Sequence, residues 1–529
     1  MPSTPPPSPR PAPTALLTLL AVLLTLPWLN PFALGPSPNV QPLLLSWACA
    51  ALALGVVAGG RVRTDLIWAA AVWAWVAASV LSAVLGMLQF WDAASDLAPW
   101  VNQPSPGTVY ANLRQRNQFA TLCAMGLAAL AWGLRGGIGG ARAAGLWQGL
   151  AAAVVGVGLG LSGSRTGLLE LLMLWALALI WRVSSPMPHG TFRVWRTLGF
   201  GALGYLLAAY ALAQWAGDGV PTVFARLWDG DDLCVSRRTL WANVWQLLMH
   251  KPWLGWGWGE LGYAQFMTPT DGPRFCDILD NAHNLPLHLA VSFGLPFATA
   301  ATLMTLALLW RAAPWHASEP HTRLAWAVLG LIGLHSMLEY PLWYGPFQIA
   351  LVLALLRLRA PHADHAVLRG SAARAVAGLL AVALVGLCAV AAQSYGRVSS
   401  LYGVAAVRAA VFDPFAELQA HDVFLFVDEV AFSRLTTPVR SANAQEQYAL
   451  AQELLHYSAE PRVIERLLES AQLLGRAQEV ALYKARYAQA FPERFIEWLA
   501  MEPHVPPGAD PAASQPQPRA PPSASEVQP

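Results

Sequence analysis

Apolar residues fall along this chain in long blocks, not in alternation and not in short one-sided stretches. Eleven blocks have the length of a membrane-crossing helix, at about 15–34, 40–58, 66–90, 118–134, 143–161, 167–181, 197–215, 285–310, 324–340, 342–356 and 375–393. The pattern predicts an all-α polytopic membrane protein with about eleven transmembrane helices. The first block contains Pro27 and Pro31 and is followed by no small-x-small cleavage site, so a retained helix is expected, not a removed signal peptide.

The polar stretches divide the chain. Residues 1–14 form a Pro-rich tail, and 506–529 a Pro- and Ala-rich one; both are expected to be disordered. Residues 15–394 hold the apolar blocks, interrupted by one large polar loop, 216–284. Inside it, Leu240, Val244, Leu247 and Leu248 recur at helical spacing beside Trp241 and Trp245, which predicts an amphipathic helix lying in the membrane interface. From 395 to 505 the pattern becomes amphipathic. Tyr448–Leu455, Arg462–Leu474 and Ala477–Phe491 read as helices, the last two joined at Gly475 like one unit of a helical repeat.

Charge adds topology. Arg61 and Arg63, Arg135 and Arg142, Arg182, Arg193 and Arg196, Arg311 and Arg323, and Arg357, Arg359, Arg369 and Arg374 all fall in alternate connections, so those face the cytoplasm. The large loop and, after an odd number of crossings, the C-terminal region then lie outside, which in a bacterium is the periplasm. The net charge of +2 points to no nucleic-acid partner. Of five cysteines, Cys49, Cys123 and Cys388 lie in apolar blocks, while Cys234 and Cys276 share the external loop, where a disulfide is expected to persist. No Cys/His spacing indicates a metal site.

Candidate chemistry sits against this frame. Asp280-Asn281-Ala282-His283-Asn284 ends the large loop and runs into an apolar helix expected from Leu285 to Trp310, which places an imidazole where water meets hydrocarbon. Either His283 only caps that helix, or it exchanges a proton at the membrane surface. Arg114, Arg116 and Arg165 break the positive-inside pattern. They call for an external anion, which guanidinium grips bidentately, or for a structural partner, for which Glu170 is the only nearby acid in sequence. Arg237 and Arg238 stand in the loop. Glu339 and Tyr340 close the block at 324–340, at the level assigned to His283, where Glu339 can orient an imidazole or bind an arginine. Pro252-Trp253-Leu254-Gly255-Trp256-Gly257-Trp258-Gly259 lacks the Gly-Lys-Ser/Thr ending of a phosphate loop and reads as an aromatic turn for lipid headgroups or sugar rings.

Together, Asn112-Leu-Arg114-Gln115-Arg116-Asn117-Gln118, Ser162-Gly-Ser164-Arg165-Thr166-Gly167, Pro252-Trp-Leu-Gly255-Trp-Gly257 and Asn281-Ala-His283-Asn284 resemble the bacterial O-antigen ligase and polymerase superfamily. Glu339-Tyr340-Pro341 and the helical C-terminal region make the chain most similar to the pilin-type protein O-oligosaccharyltransferases. The resemblance implies a GT-C-like membrane enzyme of the bacterial inner membrane. It would take a glycan from undecaprenyl diphosphate and transfer it, without a cofactor, to hydroxyls of a periplasmic pilin-like protein. By the same resemblance His283, Tyr340 and Gln115 or Gln118 are catalytic, and Arg114, Arg116 and Arg165 hold the diphosphate. Arg237, Arg238, Asn284 and Glu339 are expected to help bind the donor. Two other readings stand beside it: a ligase to lipid A core or a polysaccharide polymerase, and a non-enzymatic transporter or flippase. A transporter places its charges near the bilayer midplane, whereas these gather at one outer face.

Overall fold

The computed structural model describes residues 14–60, 62–105, 107–134, 140–184, 191–215, 233–359, 368, 370–402, 425–436 and 443–501. The expected tails, apart from Thr14, lie outside the described residues, as do Arg61, Arg135, Arg369 and the first part of the large loop. Every regular element among the described residues is helical. In chain order these are α1 (Thr14–Leu29), α2 (Val40–Gly59), α3 (Thr64–Phe90), α4 (Arg116–Ala128, extended by a π turn over Ala129–Gly133), α5 (Gly140–Leu161), α6 (Arg165–Ser184), α7 (Thr191–Trp215), α8 (Arg237–His250), α9 (Leu261–Met267), α10 (Leu285–Phe293), α11 (Leu295–Ala312), α12 (Pro320–Ser336), α13 (Gly345–Arg359), α14 (Ser371–Ser400), α15 (Val427–Thr436), α16 (Ala444–Tyr457), α17 (Pro461–Leu473), α18 (Ala477–Ala490) and α19 (Pro492–Met501).

Seven described helices are long and apolar enough to cross a membrane: α2, α3, α5, α6, α7, α11 and α14. The other four expected blocks form the shorter helices α1, α4, α12 and α13, of 16, 13, 17 and 15 residues. One expected element is corrected. The block 285–310 is not a single helix; it breaks at Gly294 (φ 89°) into α10 and α11. Pro296 follows at the start of α11, and the backbone of Trp253 and Leu254 presses so close that a Cβ on Gly294 would stand 2.0 Å from the Trp253 carbonyl oxygen. Only glycine fits both the dihedral and the contact.

Small residues let the bundle close. Gly156 on α5 lies against the carbonyl of Gly201 on α7, where a Cβ would meet that oxygen at 2.0 Å, the close backbone approach typical of helices packed in lipid. Around this core the connections sort to two ends. At one end Asn112 Nδ2 donates to Leu29 O (2.8 Å), and Tyr395 Oη donates to Leu34 O (3.1 Å). At the other, Trp68 Nε1 reaches His321 Nδ1 (3.0 Å), Trp181 Nε1 donates to Pro314 O (2.9 Å), and Arg357 pairs with Glu319 (3.0 Å).

Two bodies cap the first end. The apolar stripe of α8 is buried by Leu261, Ala264, Phe275, Leu279, Ala282 and Val291. This corrects the expectation that α8 lies in the membrane interface, because its apolar side faces protein; Trp245 is its exposed aromatic. The aromatic turn docks on the α10–α11 break through Trp256 N to Val291 O (2.8 Å) and Gly257 N to Ser292 O (3.0 Å). Trp258 stacks on Trp343 at 5.5 Å and on Phe293 at 5.8 Å. Cys234 and Cys276 are joined by a disulfide, with Cα atoms 5.3 Å apart. Helices α15–α19 form the second body around Val463, Ile464, Leu467 and Leu468, and Phe266 of α9 is part of that same core. Glu260 Oε2, just before α9, lies 2.7 Å from His456 Nδ1 of α16, and Tyr263 stacks on the His456 ring at 3.8 Å. The loop body and the C-terminal helices are therefore packed as one unit.

Candidate active site

The stretch Asn281-Ala-His283-Asn284 is shaped by its two asparagines. Asn281 Oδ1 accepts the His283 N–H at 2.9 Å, closing an Asx turn. Asn284 caps α10 by accepting Leu287 N–H at 3.0 Å, and its Nδ2 donates to Met337 O at 3.1 Å. Between them His283 takes a left-handed backbone with φ 51°. Ala111 (φ 53°) and Arg114 (φ 60°), in the α3–α4 connection, share that conformation. Backbone strain of this kind persists where surrounding structure enforces it, and it gathers at functional sites.

α12 ends at Ser336, so Glu339 and Tyr340 lie in the linker before α13, beyond the helix expected to carry them. Glu339 is the hub. Its Oε2 stands 2.8 Å from His283 Nδ1, and its Oε1 accepts from Arg237 Nη2 and from Asn117 Nδ2, the latter at 2.9 Å. Arg237 is anchored further by Nε donating to Leu338 O at 2.9 Å. Burial by itself would raise the Glu339 carboxyl, but the close His283 imidazole and the Arg237 charge outweigh it and hold the group below its ordinary range. Tyr340 sets its ring edge-on to the imidazole at 4.9 Å, and burial pushes its phenol up, keeping it a hydrogen-bond donor.

Glu339 and Arg237 open onto a cavity of about 280 Å³ lined also by Thr108, Tyr110, Arg114, Gln115, Arg116, Asn117, Arg165 and Thr166. Four guanidinium groups therefore face one carboxylate in the lining. Three of them begin helices: Arg116 starts α4, Arg165 starts α6 and Arg237 starts α8. Ser236 caps α8 by accepting Thr239 N–H at 3.2 Å. Converging amino ends add their positive dipoles to the arginines, an arrangement that can hold an anion. Arg114 also donates to Pro31 O, and burial lowers its pKa below that of an ordinary guanidinium. Glu170, the acid nearest Arg165 in sequence, is fully buried and takes its hydrogen bond from Thr121 Oγ1 (2.6 Å).

The residues singled out in the sequence separate here. Arg114, Gln115, Arg116, Arg165, Arg237 and Glu339 line the cavity, and His283 and Tyr340 adjoin it through Glu339. Arg238 is exposed and Gln118 buried, and neither lines it. The Asn284 side chain is taken up by its two structural bonds. Asn117, Thr108, Tyr110 and Thr166 carried no signal as site residues in the sequence. Asn117 lies inside the Arg114–Gln118 motif but had no acidic neighbour in sequence to mark it.

Known proteins match in the same regions. Residues 109–132 match the protein glycosylation ligase family, 150–303 the O-antigen ligase family, and 323–505 the C-terminal part of a virulence factor membrane-bound polymerase family. A general O-oligosaccharyltransferase of Acinetobacter baylyi is 24% identical over 187 residues, which cover 34% of this chain and 32% of that protein. A ComP-specific O-oligosaccharyltransferase of the same organism is 28% identical over 114 residues, covering 22% of this chain and 21% of that one. The chain thus spans about a third and a fifth of the lengths of these curated relatives. The motif resemblance is borne out: regions of the chain match the O-antigen ligase and protein glycosylation ligase families, and the relatives matched are O-oligosaccharyltransferases.

Proposed function

We propose that the chain transfers a glycan from undecaprenyl diphosphate to hydroxyl groups of a pilin-like protein at the periplasmic face of the bacterial inner membrane. The observation that carries this reading is the shared carboxylate: Glu339 touches His283 on one oxygen and the arginine cavity on the other. All eleven expected blocks cross the membrane, α1, α4, α12 and α13 as shorter helices and the block at 285–310 through α11 alone, so α8–α10 and the C-terminal helices stand in the periplasm.

A carboxylate on Nδ1 favours the Nδ1–H tautomer and leaves Nε2 as the basic nitrogen. The acceptor hydroxyl gives its proton to His283 Nε2 as its oxygen bonds the anomeric carbon. The bond from that carbon to the diphosphate oxygen breaks, and its electron pair leaves with the diphosphate. Arg114, Arg116, Arg165 and the three helix amino ends stabilise the charge that develops there. Gln115, on the cavity wall, is the glutamine that contacts the donor. Tyr340 packs the imidazole in place.

The 323–505 match supports a second reading, with a saccharide hydroxyl as acceptor in polymerisation or in ligation to lipid A core. Expression with a lipid-linked glycan in a bacterium lacking its own ligase separates the two. Glycosylated pilin-like protein supports the first; lengthened polysaccharide or modified lipid A core with unmodified protein supports the second.

A further inference from the structure

Glu339 is also held on the side away from His283. Asn117 Nδ2 donates to Glu339 Oε1 at 2.9 Å, and an amide can be turned either way. Ser164 decides the direction. Its Oγ accepts the Gly167 N–H at 3.0 Å, capping α6, and stands 2.6 Å from Asn117 Oδ1. The cap takes one of its two lone pairs, its proton is donated to Asn117 Oδ1, and Nδ2 is left to face the carboxylate, which can only accept. Turning the amide would set two acceptor oxygens against each other at Glu339.

The backbone below is held just as firmly. Thr121 Oγ1 lies 2.9 Å from Asn117 O, 2.6 Å from Glu170 Oε1 and 2.8 Å from His335 Nδ1, all in the buried bundle. His335 O accepts the Glu339 N–H at 2.8 Å, so one cluster fixes both ends of the Asn117–Glu339 bond. The donors run in one direction, from Gly167 N–H to Ser164, to Asn117, to Glu339, whose other oxygen meets His283.

We propose that Asn117 and Ser164 are positioning residues, which hold Glu339 as an acceptor-only carboxylate and so keep the basic nitrogen of His283 at Nε2. Because Ser164 caps the helix that begins with Arg165, the same chain ties the diphosphate-holding helix to the base. The inference rests on His283 being the base. Other groups act on the pair: Arg237 from α8, Asp280 from the loop, His288 from α10, His335 from α12, Tyr340 from the linker and Tyr344 just before α13.

The test is the pH dependence of transfer by the full chain in membranes, with a lipid-linked glycan and an acceptor protein. Asn117→Asp adds a second carboxylate beside Glu339, which favours the protonated base. The acid limb of the rate profile should move to higher pH by about one unit or more. Ser164→Ala should lower kcat about tenfold with donor KM unchanged, and Ser164→Thr should recover most of it, since threonine keeps both the cap and the donor. An acid limb that is unmoved in Asn117→Asp overturns the inference, and so does an equal loss in Ser164→Ala and Ser164→Thr. If Asn117→Asp does not fold, the serine pair alone decides. A wild-type profile with no acid limb, or one that His283→Ala leaves intact, overturns the base reading instead.

Discussion

His283 Nδ1 and Glu339 Oε2 stand 2.8 Å apart, the carboxylate 6% exposed and the imidazole 25%. A buried acid that touches the exposed side of the site through one imidazole orients that imidazole. Glu339→Gln removes the charge but keeps the size, and an amide can offer its NH2 to Nδ1 and reverse the tautomer. Transfer at neutral pH should fall by roughly a hundredfold or more while donor binding persists. A variant with wild-type kcat would show that the contact is structural.

The same carboxyl gives a stability signature. Its folded-state pKa lies below the ordinary 4.5, so its contribution to stability is complete above that value and fades as pH falls through the folded-state pKa. The melting difference between wild type and Glu339→Gln should be flat from neutrality down to about pH 5, then shrink in stronger acid. A difference that grows as pH falls would contradict the assignment.

Arg237 and Arg238 offer a matched pair. Neighbours on a helix point about 100° apart, and only Arg237 reaches Glu339 and the cavity, while Arg238 is exposed. Arg237→Lys should impair transfer strongly, since lysine cannot bridge Leu338 O and the carboxylate with one planar group. Arg238→Lys should keep nearly full activity. Equal behaviour of the two would contradict the site. Arg165→Lys should likewise weaken donor binding despite its charge, as a point cation replaces a fork.

The apolar blocks made the helical class legible, and the arginines placed against the positive-inside rule pointed to the cavity. Three features were hidden for separate reasons. The break at Gly294 depends on the Trp253 backbone pressing from another segment, and 285–310 reads as continuous hydrocarbon without it. The stripe on α8 has the spacing of a lipid-facing helix, and the pattern carries no sign of whether its apolar cover is lipid or Leu261 and Phe275. Asn117 meets Glu339 across 222 positions of sequence, a distance at which no local pattern operates.

Phe266 belongs to the loop in sequence and to the C-terminal helices in packing, at 2% exposure among Leu454, Leu455 and Leu468. Phe266→Ala should cost about 3–5 kcal/mol of that unit's stability, seen as protease cleavage within α15–α19 at lower temperature than in wild type. Unchanged protease resistance would mean that the two bodies are independent.

In the proposed reaction His283 moves a proton while the arginines hold the donor. Single-turnover transfer from a pre-bound lipid-linked glycan separates the two, with His283→Ala compared to His288→Ala. His288 is buried against Trp258 and Trp343, lines no part of the cavity, and meets the His283 turn through a long contact of its Nδ1 with Ala282 N–H (3.4 Å). The expected result is a His283→Ala chain that binds donor normally and transfers at least about a hundredfold more slowly, beside a His288→Ala chain that keeps most of its rate. Transfer at the wild-type rate by His283→Ala would contradict the account.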